Sequence, residues 1–223
     1  MANRFQKIIS YIKDVSLEET FSEFNPHLEV LLVNGRHQLI TKDAIYSYDD
    51  KYDNFYDSFK KVNWDKFKPQ KVLVLGLGLG SVIYILEKKF KLIFDYTAIE
   101  IDYEIVRMAH KYTLKNLKSY VEVMLVDAET YLNITSENYD LILMDIFQSA
   151  EIPSKFQNID FLKQLSSRIN PDGMLFYNRM NASESDKDCN KEFDSNFKRI
   201  FPNYESIKIK DNLMFVSEQK YLQ

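Results

Sequence analysis

The chain is poor in glycine, in cysteine and in long apolar runs. Five of its 223 residues are glycine and five are proline, which excludes collagen-like and Pro/Gly-rich disordered architectures. The single cysteine, Cys189, excludes an internal disulfide framework and a cysteine-rich zinc site. It fits a reducing compartment, so a cytoplasmic location is expected. No apolar run approaches the roughly 20 residues of a membrane span, and no membrane partner is expected. The first fifteen residues, 1-MANRFQKIISYIKDV-15, lack the uninterrupted apolar core and small-residue cleavage site of a signal peptide; Phe5, Ile8, Ile9 and Ile12 instead fit one helical face. There is no basic excess. The formal charge is -4, which argues against a nucleic-acid partner and leaves a small cationic substrate open. His27, His37 and His110 are scattered without metal-ligand spacing, so no metal is expected.

What the chain does have is 45% hydrophobic and 28% charged residues, enough for a real core. From Lys71 onward short apolar runs alternate with amphipathic ones. Strands are expected at 71-KVLVL-75, 95-DYTAIE-100, 120-YVEVMLV-126, 139-YDLILMD-145 and 173-GMLFYN-178. Helices are expected at 81–90, 103–112, 127–132 and 159–169, the last stopped by 170-NPDG-173. Repeated βα alternation implies a parallel sheet covered on both faces. A helix over 186–201 and two strands, 204–210 and 213–218, joined at Asp211-Asn212, then imply a terminal antiparallel hairpin. The first 50 residues read as a separate β-rich module. Its clearest feature is the hairpin 28-LEVLLV-33, Asn34-Gly35, 36-RHQLIT-41, with further strands at 18–24 and 44–47. A helix is expected over 50–62. The expected division is therefore 1–50 and 51–223, a small β-rich module before a doubly wound seven-stranded sheet.

Three of the five glycines, Gly76, Gly78 and Gly80, fall within five residues, at the end of the first predicted parallel strand. Ligands of open α/β sheets bind at such carboxyl ends. The dinucleotide fingerprint asks for a further glycine where Ser81 stands, which disfavours a dehydrogenase. A plain βα turn is the other reading of the loop. Glu100 ends the second strand and can accept both hydrogen bonds of a ribose diol; it can also be a solvated strand end. Asp102 caps the next helix. Asp127 ends the third strand and can accept an exocyclic adenine amine or cap a helix. Asp145 ends the fourth, as a general base or as a structural acid. The aromatic stretch 46–59 can line a substrate mouth or simply pack.

With loop, Glu100, Asp127 and Asp145 together, the chain resembles the S-adenosylmethionine-binding fold and, within it, the spermidine synthase family. The family's V-E-I-D segment is matched by 99-IEID-102, and its G-D-G/A motif by 126-VDA-128. The resemblance thus adds Ile101 and Ala128 to the cofactor-binding set of Gly76, Gly78, Gly80, Glu100 and Asp127. The D/N-G turn followed by Gln, an acid and Tyr resembles 34-NGRHQLITKDAIYSY-48, implying Gln38 and Tyr46 over the nucleoside pocket. The departures concern the family's acids. Its loop acid, implied to hold the donor's amine, is Leu79 here. Its D-S-S-D-P becomes 145-DIFQS-149, and its Tyr-His-Glu becomes Tyr46-Ser47-Tyr48.

The resemblance implies S-adenosylmethionine, its decarboxylated form or methylthioadenosine as ligand. It also implies a homodimer paired through the N-terminal module. Because acids that would hold a polyamine are missing, the expected reaction is methyl transfer to a small molecule. Aminopropyl transfer with an altered acceptor site is the alternative. A nucleoside-binding or assembly module without catalysis is the second.

Overall fold

The computed structural model describes residues 3–149 and 151–223. The chain opens with α1 (Arg4–Ile9) and a four-stranded antiparallel meander, β1 (Val15–Thr20), β2 (Leu28–Val33), β3 (Arg36–Ile40) and β4 (Ile45–Tyr48). Asn34 and Gly35 both take positive φ, 50° and 77°, as the expected two-residue β2–β3 turn requires. The amphipathic reading of the first residues finds its helix but not its burial. Phe5 is 70% and Ile12 86% exposed.

A short 3-10 turn (Asp49–Lys51) and α2 (Asp53–Phe59) lead into the larger sheet. This comprises β5 (Lys71–Leu75), β6 (Asp95–Glu100), β7 (Tyr120–Leu125), β8 (Tyr139–Met144), β9 (Ile169–Met180), β10 (Glu205–Ile209) and β11 (Asn212–Val216). Its order is β10-β11-β9-β8-β5-β6-β7. The five strands β5 to β9 run parallel, and β11 enters antiparallel to both β9 and β10. The fold is a Rossmann-like doubly wound sheet with a terminal antiparallel hairpin.

The crossover helices are α3 (Ser81–Lys88), α4 (Tyr103–Tyr112), α5 (Ala128–Ile134), α6 (Ile159–Ser167) and α7 (Glu184–Ile200). Strands buried on both faces explain why the central runs carry almost no polar residue. Val72 and Val74 pack into the core on one face, Leu73 and Leu75 into that on the other.

Several boundaries differ from expectation: the first strand is Val15–Thr20 rather than 18–24, and α2 is Asp53–Phe59 rather than 50–62. The segment 170-NPDG-173 does not stop a helix, because α6 already ends at Ser167. It lies inside β9 as an irregularity, where pairing jumps from Tyr139–Ile169 to Leu141–Met174. The final hairpin turns at Lys210-Asp211, since Ile209 pairs with Asn212. Lys210 takes the positive φ there, 52°.

Candidate active site

The strand order sets out the cleft. Strands leave the chain's central crossover in opposite directions from β5 and β8, and a cleft of about 700 Å³ opens there. Along it stand, in sheet order, Asp127 after β7, Glu100 at the end of β6, Gly76 after β5, Asp145 after β8, Asn178 on β9 and Asn212 on β11. A crevice at the switch point of a doubly wound sheet is where this class binds its ligands.

The glycines of the loop answer first to the protein's own backbone. A Cβ on Gly76 would sit 2.5 Å from the Asp145 carbonyl oxygen, and one on Gly78 would sit 2.9 Å from that of Tyr46. Both have positive φ, 88° and 51°, the left-handed region that favours glycine. Gly80 (φ 87°) begins α3, and its Cβ would meet the Leu114 side chain at 2.9 Å. Gly76 and Gly78 line the cleft and Gly80 does not, so Gly80 serves the turn and its packing.

The loop's two departures from a glycine-and-acid pattern both face the N-terminal sheet. Leu79 is 1% exposed and packs with Leu28, Val30 and Leu39 against Ile105 and Met108 of α4. Ser81 Oγ lies 2.5 Å from Ser47 Oγ and accepts the Tyr48 N–H at 2.9 Å. These contacts seat β4 on the loop and bring Tyr46 into the cleft wall.

Glu100 is nearly buried, with 8% exposure. Its Oε1 accepts the N–H groups of Ile101 (2.8 Å) and Asp102 (3.1 Å), and its Oε2 accepts that of Leu77 at 3.1 Å. Burial raises its pKa above the ordinary carboxylate value, against those three N–H groups. A carboxylate has about four acceptor positions. Three are filled here, so one lone pair of Oε2 is left for a ligand hydroxyl, and the same side chain ties the glycine loop to β6. Asp102 caps α4 through Glu104 N–H at 2.9 Å, as expected. It also accepts from Asn25 Nδ2 (2.8 Å) and Ser22 Oγ (2.5 Å), clasping the segment between β1 and β2.

Asp127 caps α5 through the Thr130 N–H at 3.1 Å and pairs with Lys155 Nζ at 2.5 Å. Burial pushes its pKa up, but the Lys155 ammonium and the N–H donors hold it below the usual carboxylate range. Lys155 had no place in the sequence reading; its partner lies 28 residues away. Ile101 and Ala128 both line the cleft. Gln38 does not: it is buried within β3, between Leu31 of β2 and Tyr48 of β4. Alternation along the strand sends it away from the pocket. Tyr46 does reach it, receiving the Ser149 N–H at 2.6 Å and donating to Asn25 Oδ1 at 3.1 Å.

Asp145 is a half-buried acid on the cleft wall. Its Oδ1 accepts from Asn178 Nδ2 at 2.8 Å, and Asn178 Oδ1 in turn accepts from Asn212 Nδ2 at 3.0 Å. Burial pushes the Asp145 carboxyl up to about 7, against the hydrogen bonds of Asn178 and Tyr52. A carboxylate with a pKa near neutrality is suited to take a proton from a substrate. The β10–β11 turn and Asp53 also stand on this wall, a contribution that sequence order gave no reason to expect.

The profile of the spermine/spermidine synthase domain matches residues 58–210. The chain belongs to the spermine/spermidine synthase family. Among curated proteins it is 24% identical over 131 residues to a probable polyamine aminopropyl transferase of Bifidobacterium longum, 59% of this chain and 29% of that protein. It is 28% identical over 120 residues to a polyamine aminopropyltransferase of Vibrio vulnificus, 52% of this chain and 40% of that one. The chain thus spans less than half the length of these relatives. Among solved structures it is similar to the spermidine synthase of Thermotoga maritima, with a TM-score of 0.67 and 14% identity over 90% of this chain and 71% of that one. That likeness establishes the shared fold. Among the described residues no helix is long and apolar enough to cross a membrane.

Proposed function

We propose that this protein is an aminopropyl transferase, using a decarboxylated S-adenosylmethionine-type donor and an amine acceptor. The observation that carries this reading is Asp145, a carboxyl raised to about 7 in the cleft beside the glycine loop. Aminopropyl transfer needs an amine freed of its proton, whereas methyl transfer mainly needs a nucleophile held in line. The names of the curated relatives favour the same alternative over methyl transfer.

The residues present fit a nucleoside donor. Glu100 Oε2 keeps a free acceptor position for a ribose hydroxyl, and Asp127 and Ala128 line the far end of the cleft for a base. The donor would supply a carbon already activated by its sulfonium. The chain supplies the rest: Glu100 and the loop orient, Tyr46 covers, and Asp145 accepts the amine's proton, steadied by Asn178. Replacing a general base costs typically 10²–10⁴-fold in rate.

Calorimetric titration with S-adenosylmethionine, its decarboxylated form and methylthioadenosine tests the reading. The decarboxylated donor and methylthioadenosine should bind more tightly than S-adenosylmethionine. Tighter binding of S-adenosylmethionine would sink it in favour of methyl transfer.

A further inference from the structure

Beyond Asp145 the cleft is walled by two segments far apart in sequence. Residues 51–54 lead into α2, and residues 209–212 form the β10–β11 turn. An ion pair between Asp53 and Lys210 clasps one to the other. Tyr52 and Asn212 anchor the same wall to the reacting end, through Asp145 and Asn178 respectively. Four charged side chains stand on it: Lys51, Asp53, Lys210 and Asp211. Asp53 and Lys210 neutralise each other. Lys51 and Asp211 are exposed on the cleft, and neither belongs to an ion pair among the described residues. The wall therefore offers one cation and one anion.

An extended polyamine asks for something else. Each distal ammonium wants a carboxylate of its own, and every nearby lysine counts against it. Of the other acids lining the cleft, Asp127 is engaged by Lys155, Asp102 by Ser22 and Asn25, and Glu100 by backbone N–H groups; Asp43 has no ion pair among the described residues, but it stands on the N-terminal module between β3 and β4, not on this wall. A zwitterionic head group has the charges this wall complements, a carboxylate for Lys51 and an ammonium for Asp211.

We infer that the acceptor is a diamino acid, its zwitterionic head held by Lys51 and Asp211 and its side-chain amine presented to Asp145. This rests on the aminopropyl-transfer reading and specifies its acceptor. The side-chain amine, as a neutral nucleophile, forms a bond to the donor's propyl carbon beside sulfur. The carbon–sulfur bond breaks, its electron pair stays on sulfur, and methylthioadenosine leaves. The proton lost by the attacking nitrogen goes to Asp145. No oxidant or further co-reactant is needed.

The test compares acceptors of equal chain length with the decarboxylated donor, following product by mass spectrometry. Ornithine is set against 1,4-diaminobutane, which has the same spacing without the carboxylate. Ornithine should give at least about tenfold higher kcat/KM. Lys51→Glu, on the exposed rim, should reverse that preference by raising KM for ornithine and lowering it for the diamine, while calorimetric affinity for methylthioadenosine stays unchanged. Transfer to the diamine in preference to ornithine would overturn the acceptor assignment and leave the proposed function standing. An unchanged preference in Lys51→Glu would overturn it as well. Donor binding with no aminopropyl product from either amine, or no donor binding at all, would overturn both.

Discussion

The two ends of the cleft are built on different plans. At the β6–β7 end every acid is already engaged: Glu100 by three backbone N–H groups, Asp102 by the segment before β2, Asp127 by Lys155 and a helix start. Those carboxylates hold the frame rigid with three acceptor positions filled on each, and Glu100 Oε2 keeps one to spare for a ligand. At the β8–β11 end, Asp145 has neutral partners only, the Asn178 amide at 2.8 Å and the Tyr52 hydroxyl, and a desolvated carboxyl. The first end is preorganised for shape and the second is poised to titrate. Preorganised donors and acceptors suit binding, while a group near neutrality suits proton transfer.

The sharpest way to break that contrast is Asp145→Asn. Turnover should fall about 10²–10⁴-fold, while calorimetric affinity for methylthioadenosine holds. Equal loss of both would make Asp145 part of the frame like the others. Next comes Leu79→Asp, which restores the acid of the resembled family at that position. The side chain is 1% exposed against the N-terminal sheet, so the variant buries a charge there. It should lose on the order of 3 kcal/mol in denaturant unfolding. Tighter donor binding at undiminished stability would show that Leu79 faces the ligand after all.

Glu100→Ala should weaken methylthioadenosine binding by about 1.5–3 kcal/mol, the scale of a hydrogen bond to a charged group. It should also lower stability, because the Leu77, Ile101 and Asp102 N–H groups lose their acceptor. Unchanged affinity in calorimetry would remove the ribose from that end.

The smallest effect is the pH dependence. The Asp145 base works when ionised, so kcat/KM should rise roughly tenfold per pH unit below about 7 and then level. Stability runs the other way. Its folded-state pKa is raised above the unfolded value, so its contribution to stability is full below the ordinary carboxylate range. That contribution is lost as pH rises through about 7. Asp145→Asn should therefore raise Tm at pH 8 and leave it nearly unchanged at pH 3. The same Tm shift at both pH values would mean that the carboxyl is not desolvated.

Much of the larger sheet was legible because its strands are buried on both faces and read as apolar runs, while its helices read as amphipathic ones. The N-terminal helix was legible only as a pattern: Phe5, Ile8 and Ile12 share a face that this chain leaves exposed. The segment 170-NPDG-173 misled because proline and glycine mark irregular backbone, and an irregular strand is as good a place for them as a helix end. At the site, Glu100, Asp127 and Asp145 were readable from their positions at strand ends. Lys155 and the Asp53–Lys210 clasp were not, since their partners lie 28 and 157 residues away.

The sequence by itself determined the alternation of strands and helices, the glycine loop and the acids that follow it, and through them the family. Those are local signals: hydrophobic period and residue type at a strand end. Only the tertiary structure decided what each of those residues faces. Gly76 and Gly78 are glycines because the Asp145 and Tyr46 carbonyls come within 3 Å of where a Cβ would be, before any ligand arrives. Leu79 packs against the N-terminal sheet and α4, and Gln38 is buried within β3, and neither direction is written in the order of residues. Which acids stay free in the cleft depends on which lysines and N–H groups reach them, and that is set by contacts between segments distant in the chain.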